Sequence, residues 1–185
     1  LNEDEFERFK EAVEYFKLYA VRYDFDWLLI AALAYQESRI DQNKRSPAGA
    51  IGVMQLLPST AADPNVGIPD IENLELNIHA GTKYLRFLYG RYFEKEPMSK
   101  KNKMLFTFAS YNAGPARVAR LRNEAKQAGL DPNIWFHNVE IVAAKRIGRE
   151  TVDYVTNIYK YYTAYRLIID KLDLKKETKQ KTIAR

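Results

Sequence analysis

Apolar and small residues recur three and four positions apart at Phe6, Phe9, Val13, Phe16, Ala20 and Tyr23, the spacing of one face of an α-helix. Asn2 with Glu5 three residues on gives this segment a capping-box start. A second helix is predicted from Asp26, whose carboxylate can accept from free backbone N–H groups. Its inner stripe is Trp27, Ile30, Ala31 and Ala34. Glu37 lies seven residues after Ile30 and three after Ala34, so an acid continues the apolar stripe instead of the solvent face.

Helical periodicity then stops. Residues Asn43 to Gly52 contain Ser46-Pro47, Gly49 and Gly52 and read as a loop. Pro58-Ser59-Thr60 starts a short helix that Asp63-Pro64-Asn65 should end. Ile78, Gly81, Leu85, Leu88 and Tyr92 mark a longer helix over about Leu74 to Tyr92, with Gly81 placed for close helix approach and the Glu37 helix as its expected partner. A charged connection with Pro97 follows. Lys103 to Tyr111 is the next helix, stopped at Asn112-Ala113-Gly114. Pro115 suits the first position of a helix running toward Gln127. Asp131-Pro132 opens a short segment holding Trp135, Val139 to Lys145 is helical, and a last helix carries Val155, Ile158, Tyr162, Tyr165 and Ile169. No strand pattern of useful length interrupts this series, so the fold class is all-α. The main unit is residues 1–170, and the lysine-rich segment 171–185 is expected to be a solvated, mobile tail.

Composition narrows the function classes. The 185 residues are 46% hydrophobic and 29% charged, which suits one globular domain with a sizeable core. Thirteen tyrosines, nine phenylalanines and two tryptophans are enough to furnish both a core and a ring-lined groove able to stack on sugars or bases. The net charge of +5 permits an anionic partner without naming one. Lys and Arg are dispersed outside the tail and no base-reading motif occurs, so no nucleic-acid partner is expected. Zero cysteines exclude disulfides and thiolate zinc. His79 and His137 are isolated, so neither a metal nor another cofactor is expected. No window approaches about 18 apolar residues, and the opening LNEDEF lacks a basic n-region, as in a mature or excised domain.

An acid on an apolar face has its charged form disfavoured, which can keep it protonated near neutral pH as a general acid requires. Residue pattern alone also allows a structural ion pair of Glu37 with Arg39 or Arg45. Asp41, four residues on, would offer a second carboxylate only if the helix continued, and Ile40 to Asn43 reads as a helix end.

Three sets of residues add to this reading. They are Glu37-Ser38 with Ser46-Pro47, Gly49, Gly52-Val53-Met54-Gln55 and Leu57 to Ala61; then Ala109-Ser110-Tyr111-Asn112-Ala113-Gly114; then Glu150-Thr151 with Tyr154-Val155. In this order they resemble the signature of the lytic transglycosylases with a goose-type, lysozyme-like helical domain and an active-site groove. The flanks, including Asp131-Pro132-Asn133, are most similar to the membrane-bound lytic transglycosylase F subfamily. The resemblance implies non-hydrolytic cleavage of the MurNAc-β-1,4-GlcNAc bond of peptidoglycan glycan strands to 1,6-anhydro ends. Glu37 would be the acid and then the base. Ser46, Met54, Gln55, Tyr111, Asn112, Glu150 and Tyr154 would surround the substrate, Met54 against the acetamido region and Tyr154 in support of Glu37. It further implies a periplasmic, outer-membrane-associated protein in which a solute-binding-like regulatory domain precedes this module. A hydrolytic muramidase of the same fold and a non-catalytic glycan-binding module are the competing readings.

Overall fold

A computed structural model describes residues 2–171 in full and the backbone of the last helix through Ile183. Among the described residues eight α-helices follow one another: α1 (Glu3–Tyr23), α2 (Trp27–Ser38), α3 (Pro58–Ala62), α4 (Leu74–Leu88), α5 (Lys100–Ala113), α6 (Pro115–Gln127), α7 (Glu140–Ile147) and α8 (Arg149–Ile183). The segment 171–185, expected to be a mobile tail, falls almost wholly outside the fully described residues.

The local signals act where the sequence places them. The Asn2 side chain accepts from Glu5 N–H at 2.8 Å while the Glu5 carboxylate accepts from Asn2 N–H at 3.0 Å. Asp26 caps α2 through Leu28 N–H at 3.0 Å, and Pro58 and Pro115 occupy first-turn positions. Helix α2 departs from the expected stripe. Leu28 and every residue from Ile30 to Ala34 are buried, because WLLIAALA offers no polar face. A helix apolar all round belongs in the interior, and α2 is flanked there by α1 and α8.

Helix α4 differs in two ways. It packs mainly against α1, not α2, with further contacts to α3 and α5. Its regular part stops at Leu88 and a π-helical turn, Tyr89–Phe93, follows. The wider turn shifts the side-chain register by one position, so Phe93 is buried while Tyr92 is 40% exposed. The core is continuous from Phe16 on α1 through Ile30 and Leu33 to Leu85, Phe106, Phe108 and Trp135. Phe106 meets Trp135 edge-on, with ring centroids 5.6 Å apart, a favourable aromatic arrangement.

Candidate active site

Three elements converge on the C-terminal end of α2. Glu37 sits in its last turn, and Ser38 is the last helical residue. The chain then passes through two consecutive left-handed residues, Arg39 (φ 59°) and Ile40 (φ 58°). That conformation costs on the order of 1–3 kcal/mol for a residue with a side chain, and most for a β-branched one such as Ile40. Packing and hydrogen bonds hold it. Ile40 is buried. The Ser38 hydroxyl accepts from Asp41 N–H at 3.1 Å and donates to the Val53 carbonyl at 2.9 Å, with the Ala34 carbonyl also within reach at 3.2 Å. Asp41 is therefore turned away from the helix, and its carboxylate accepts from Asn43 N–H at 2.9 Å.

The loop that follows is fastened from behind by two amides. Gln42 accepts from Val53 N–H at 3.1 Å and donates to the Ile71 and Glu72 carbonyls at 3.0 Å each. Asn77, fully buried on α4, accepts from Met54 N–H at 2.8 Å and donates to the Ile51 and Ile71 carbonyls at 2.9 Å each. Gly52, at φ 79°, lies between these amides. A Cβ there would stand 2.4 Å from Asn77 Nδ2 and 2.6 Å from Gln42 Oε1.

The carboxyl of Glu37 accepts a 2.5 Å hydrogen bond from the Tyr154 hydroxyl on α8. Burial pushes the Glu37 carboxyl up to about 7, against the opposing pulls of the Tyr154 hydrogen bond and of the Lys44 ammonium. Tyr111, near the end of α5, donates to the Met54 carbonyl at 2.7 Å. Burial, with the Glu37 charge next, holds the phenols of Tyr111 and Tyr154 well above their ordinary range, so both act as neutral donors. Neither arginine offered by the sequence pairs with Glu37. Arg39 lies over the Tyr35 ring at 4.4 Å, and Arg45 forms an ion pair with Glu72.

The other predicted residues take these places. Ser46 Oγ accepts from Ala50 N–H at 3.0 Å. Gln55 is held at φ 47° and its amide donates to the Gly52 carbonyl at 2.9 Å and the Lys44 carbonyl at 3.2 Å. Met54 is fully buried, so it borders the cluster by its backbone and leaves no side-chain surface open. Asn112 accepts from the Thr151 hydroxyl at 2.7 Å, which ties the end of α5 to the start of α8. Glu150 is exposed in the first turn of α8, where the helix dipole favours an acid, and it takes no part in the hydrogen-bonded cluster. Sequence reasoning passed over Gln42, Asn77 and Lys44. Only Asn77 carried a signal, a polar residue beside Ile78 on an otherwise apolar helix face.

A family model described as the transglycosylase SLT domain matches residues 14–134. The chain belongs to the transglycosylase SLT domain family. It is similar to membrane-bound lytic murein transglycosylase F of Desulfosudis oleivorans, 36% identical over 156 residues, covering 77% of this chain and 34% of that protein. The same-named protein of Shewanella woodyi is 38% identical over 162 residues, covering 80% of this chain and 32% of its own length. The chain thus spans about a third of the curated relatives it matches. Among solved structures, an inactive mutant of lytic transglycosylase Slt from Pseudomonas aeruginosa shares the fold, with TM-score 0.65 and 22% identity over 85% of this chain and 24% of that one. The 70 kDa soluble lytic transglycosylase of Escherichia coli gives TM-score 0.57 and 26% identity, covering 84% of this chain and 24% of that one. The all-α, lysozyme-like fold expected from the sequence is the fold of the SLT domain.

Proposed function

We propose that this module, taken as residues 1–170, is a peptidoglycan lytic transglycosylase in which Glu37 does both proton transfers. The observation that carries the reading is a single carboxyl held between burial and the Tyr154 hydroxyl and pushed up to about 7. At that value the group is available as acid and as base near neutral pH. Protonated Glu37 gives its proton to the glycosidic oxygen as the bond to C1 of the muramic acid breaks. The resulting carboxylate then takes the proton of the same sugar's C6 hydroxyl while that oxygen bonds to C1. The product is a 1,6-anhydro ring, no water is consumed, and Glu37 ends protonated.

The usual retaining or inverting glycosidase uses two protein carboxylates that flank the bond. Asp41 would be the nearest in sequence, and its carboxylate is engaged in its own turn. A lone acid suits a reaction in which the substrate supplies the nucleophile. Ser46, Gln55, Tyr111, Asn112, Glu150 and the backbone of Met54 are assigned to the sugar and peptide side of the site, with Tyr154 supporting Glu37.

We also place the full-length protein in the periplasm, acting on glycan strands at the outer membrane, with a solute-binding-like domain ahead of this module. In support, relatives of this chain are named membrane-bound lytic murein transglycosylases, and their greater length leaves room for a further domain. Among the described residues no helix is long and apolar enough to cross a membrane.

Digestion of intact sacculi followed by mass spectrometry tests the reaction. Anhydro-muropeptides are expected, and reducing-end muropeptides would replace this reading with hydrolysis. Glu37→Gln should lower product release by roughly 10²–10⁴-fold, the usual contribution of a general acid, with the helical circular dichroism unchanged. Most of the activity surviving in that variant would remove Glu37 from the mechanism.

A further inference from the structure

Lys44 occupies a position that nothing in the proton-transfer scheme uses. The left-handed pair Arg39-Ile40 reverses the chain after α2, and a turn closed by Lys44 N–H on the Asp41 carbonyl at 3.2 Å brings residue 44 back over the helix end. There the Lys44 ammonium donates to the backbone carbonyl of Glu37 at 2.6 Å. That carbonyl is one of the last in α2, where the helix leaves acceptors without partners and a cation is favoured by the dipole. The backbone of Lys44 is equally committed. Its carbonyl accepts from Gly52 N–H at 3.0 Å, from the Arg45 guanidinium at 3.0 Å and from the Gln55 amide at 3.2 Å. One residue therefore joins the end of the catalytic helix to the loop over the site.

Lys44 is solvent-exposed. It belongs to none of the ion pairs among the described residues, whereas the adjacent Arg45 is paired with Glu72. The groups that face Glu37 come from three elements: Tyr154 from α8, Tyr111 from α5 and Lys44 from the loop. Both phenols are neutral donors, so Lys44 alone among them brings positive charge.

We propose that Lys44 is a positioning residue for Glu37, capping the carbonyl of the catalytic residue and supplying the positive charge that makes its carboxylate accessible for the second half of the reaction. The proposal rests on the acid-then-base reading of Glu37. An acid shielded by burial gives up its proton reluctantly, and the ammonium offsets part of that burial. Two of the three ammonium protons remain free to meet an acidic group of the bound strand.

Three variants separate charge from hydrogen bond. Lys44→Met removes both, Lys44→Gln can keep an N–H donor without charge, and Lys44→Arg keeps both. The titration of the Glu37 carboxyl is followed by ¹³C NMR in the 185-residue chain, and the pH profile of anhydro-muropeptide release is measured in parallel. Removing a nearby positive charge destabilises the carboxylate, so in Lys44→Met and Lys44→Gln the carboxyl should titrate higher by roughly half a pH unit. The alkaline limb of the rate profile should follow it upward, and Lys44→Arg should restore both. A Glu37 titration unmoved in Lys44→Gln, or moved as far in Lys44→Arg, overturns the proposal. The NMR result stands without turnover, so failure to form anhydro products would refute the reaction and leave the Lys44 assignment to be judged by titration. If Lys44→Met fails to fold, the Lys44→Gln titration decides.

Discussion

At Glu37 two opposing effects meet, and the Tyr154 hydroxyl sits between them. Burial disfavours the carboxylate, and the 2.5 Å hydrogen bond favours it while fixing where Oε1 points. Tyr154→Phe removes the donor but keeps the ring, so packing on α8 should change little. The Glu37 carboxyl would then titrate higher and lose its orientation. Turnover is expected to fall roughly ten- to hundredfold, since a displacement of about an ångström at a reacting group is enough for that. Thermal melts should show a loss of only about 1 kcal/mol, the usual net worth of one hydrogen bond. Unchanged turnover with an unchanged pH profile would mean that the hydroxyl is only a packing feature. The Glu37 stripe position was legible in the sequence because helical periodicity is local. Lys44 was not, since its role depends on the return of the loop to α2, which no residue spacing encodes.

Among elements, the contact between α4 and the loop after α2 leaves no room for a side chain at Gly81. A Cβ on Gly81 would stand 2.5 Å from Met54 Cβ and 2.6 Å from Met54 Cγ, distances that side-chain rotation alone cannot relieve because the Met54 Cβ moves only with its backbone. That backbone carries the carbonyl receiving the Tyr111 hydroxyl and the N–H bound to Asn77. Gly81→Ala should therefore cost about 1–3 kcal/mol, the range for overpacked cores, and lower activity as well. Gly90→Ala is the control. Its nearest neighbour would be the flexible Glu94 carboxylate at 3.8 Å, and alanine there should be neutral or slightly stabilising. Equal effects of the two in denaturant unfolding would refute the close-approach argument. The sequence singled out Gly81 as a close-approach residue but assigned α4 to the wrong helix. Periodicity identifies which face is buried, and α1 and α2 both present faces able to cover it. The π-helical turn at Tyr89–Phe93 was illegible for a related reason, since a one-residue change of register is imposed by packing of Phe93 into the core.

For the whole molecule, the raised Glu37 carboxyl makes the site a source of instability at neutral pH. The unfolded chain ionises this group near its ordinary 4.5, and the folded protein only near 7. Between those values the folded state holds the extra proton, so Glu37 lowers stability progressively as pH rises through that window and by a constant amount above it. A shift of this size corresponds to something on the order of 3 kcal/mol. His79 works in the opposite direction. Burial holds its imidazole below the usual value, which removes stability as pH falls, so the raw pH dependence of the protein mixes the two. Comparison with Glu37→Gln separates them, because the amide has the shape of the protonated acid and does not titrate. The variant should match the parent near pH 4 and exceed its Tm above pH 7 by roughly 6–12 °C, given about 2–4 °C per kcal/mol at this chain length. A parallel pair of Tm curves across that range would mean that the carboxyl is not shifted upward, and the acid-then-base reading would fall with it. A rising difference would place the cost where the proposed chemistry needs it: the fold tolerates an acid it would be more stable without.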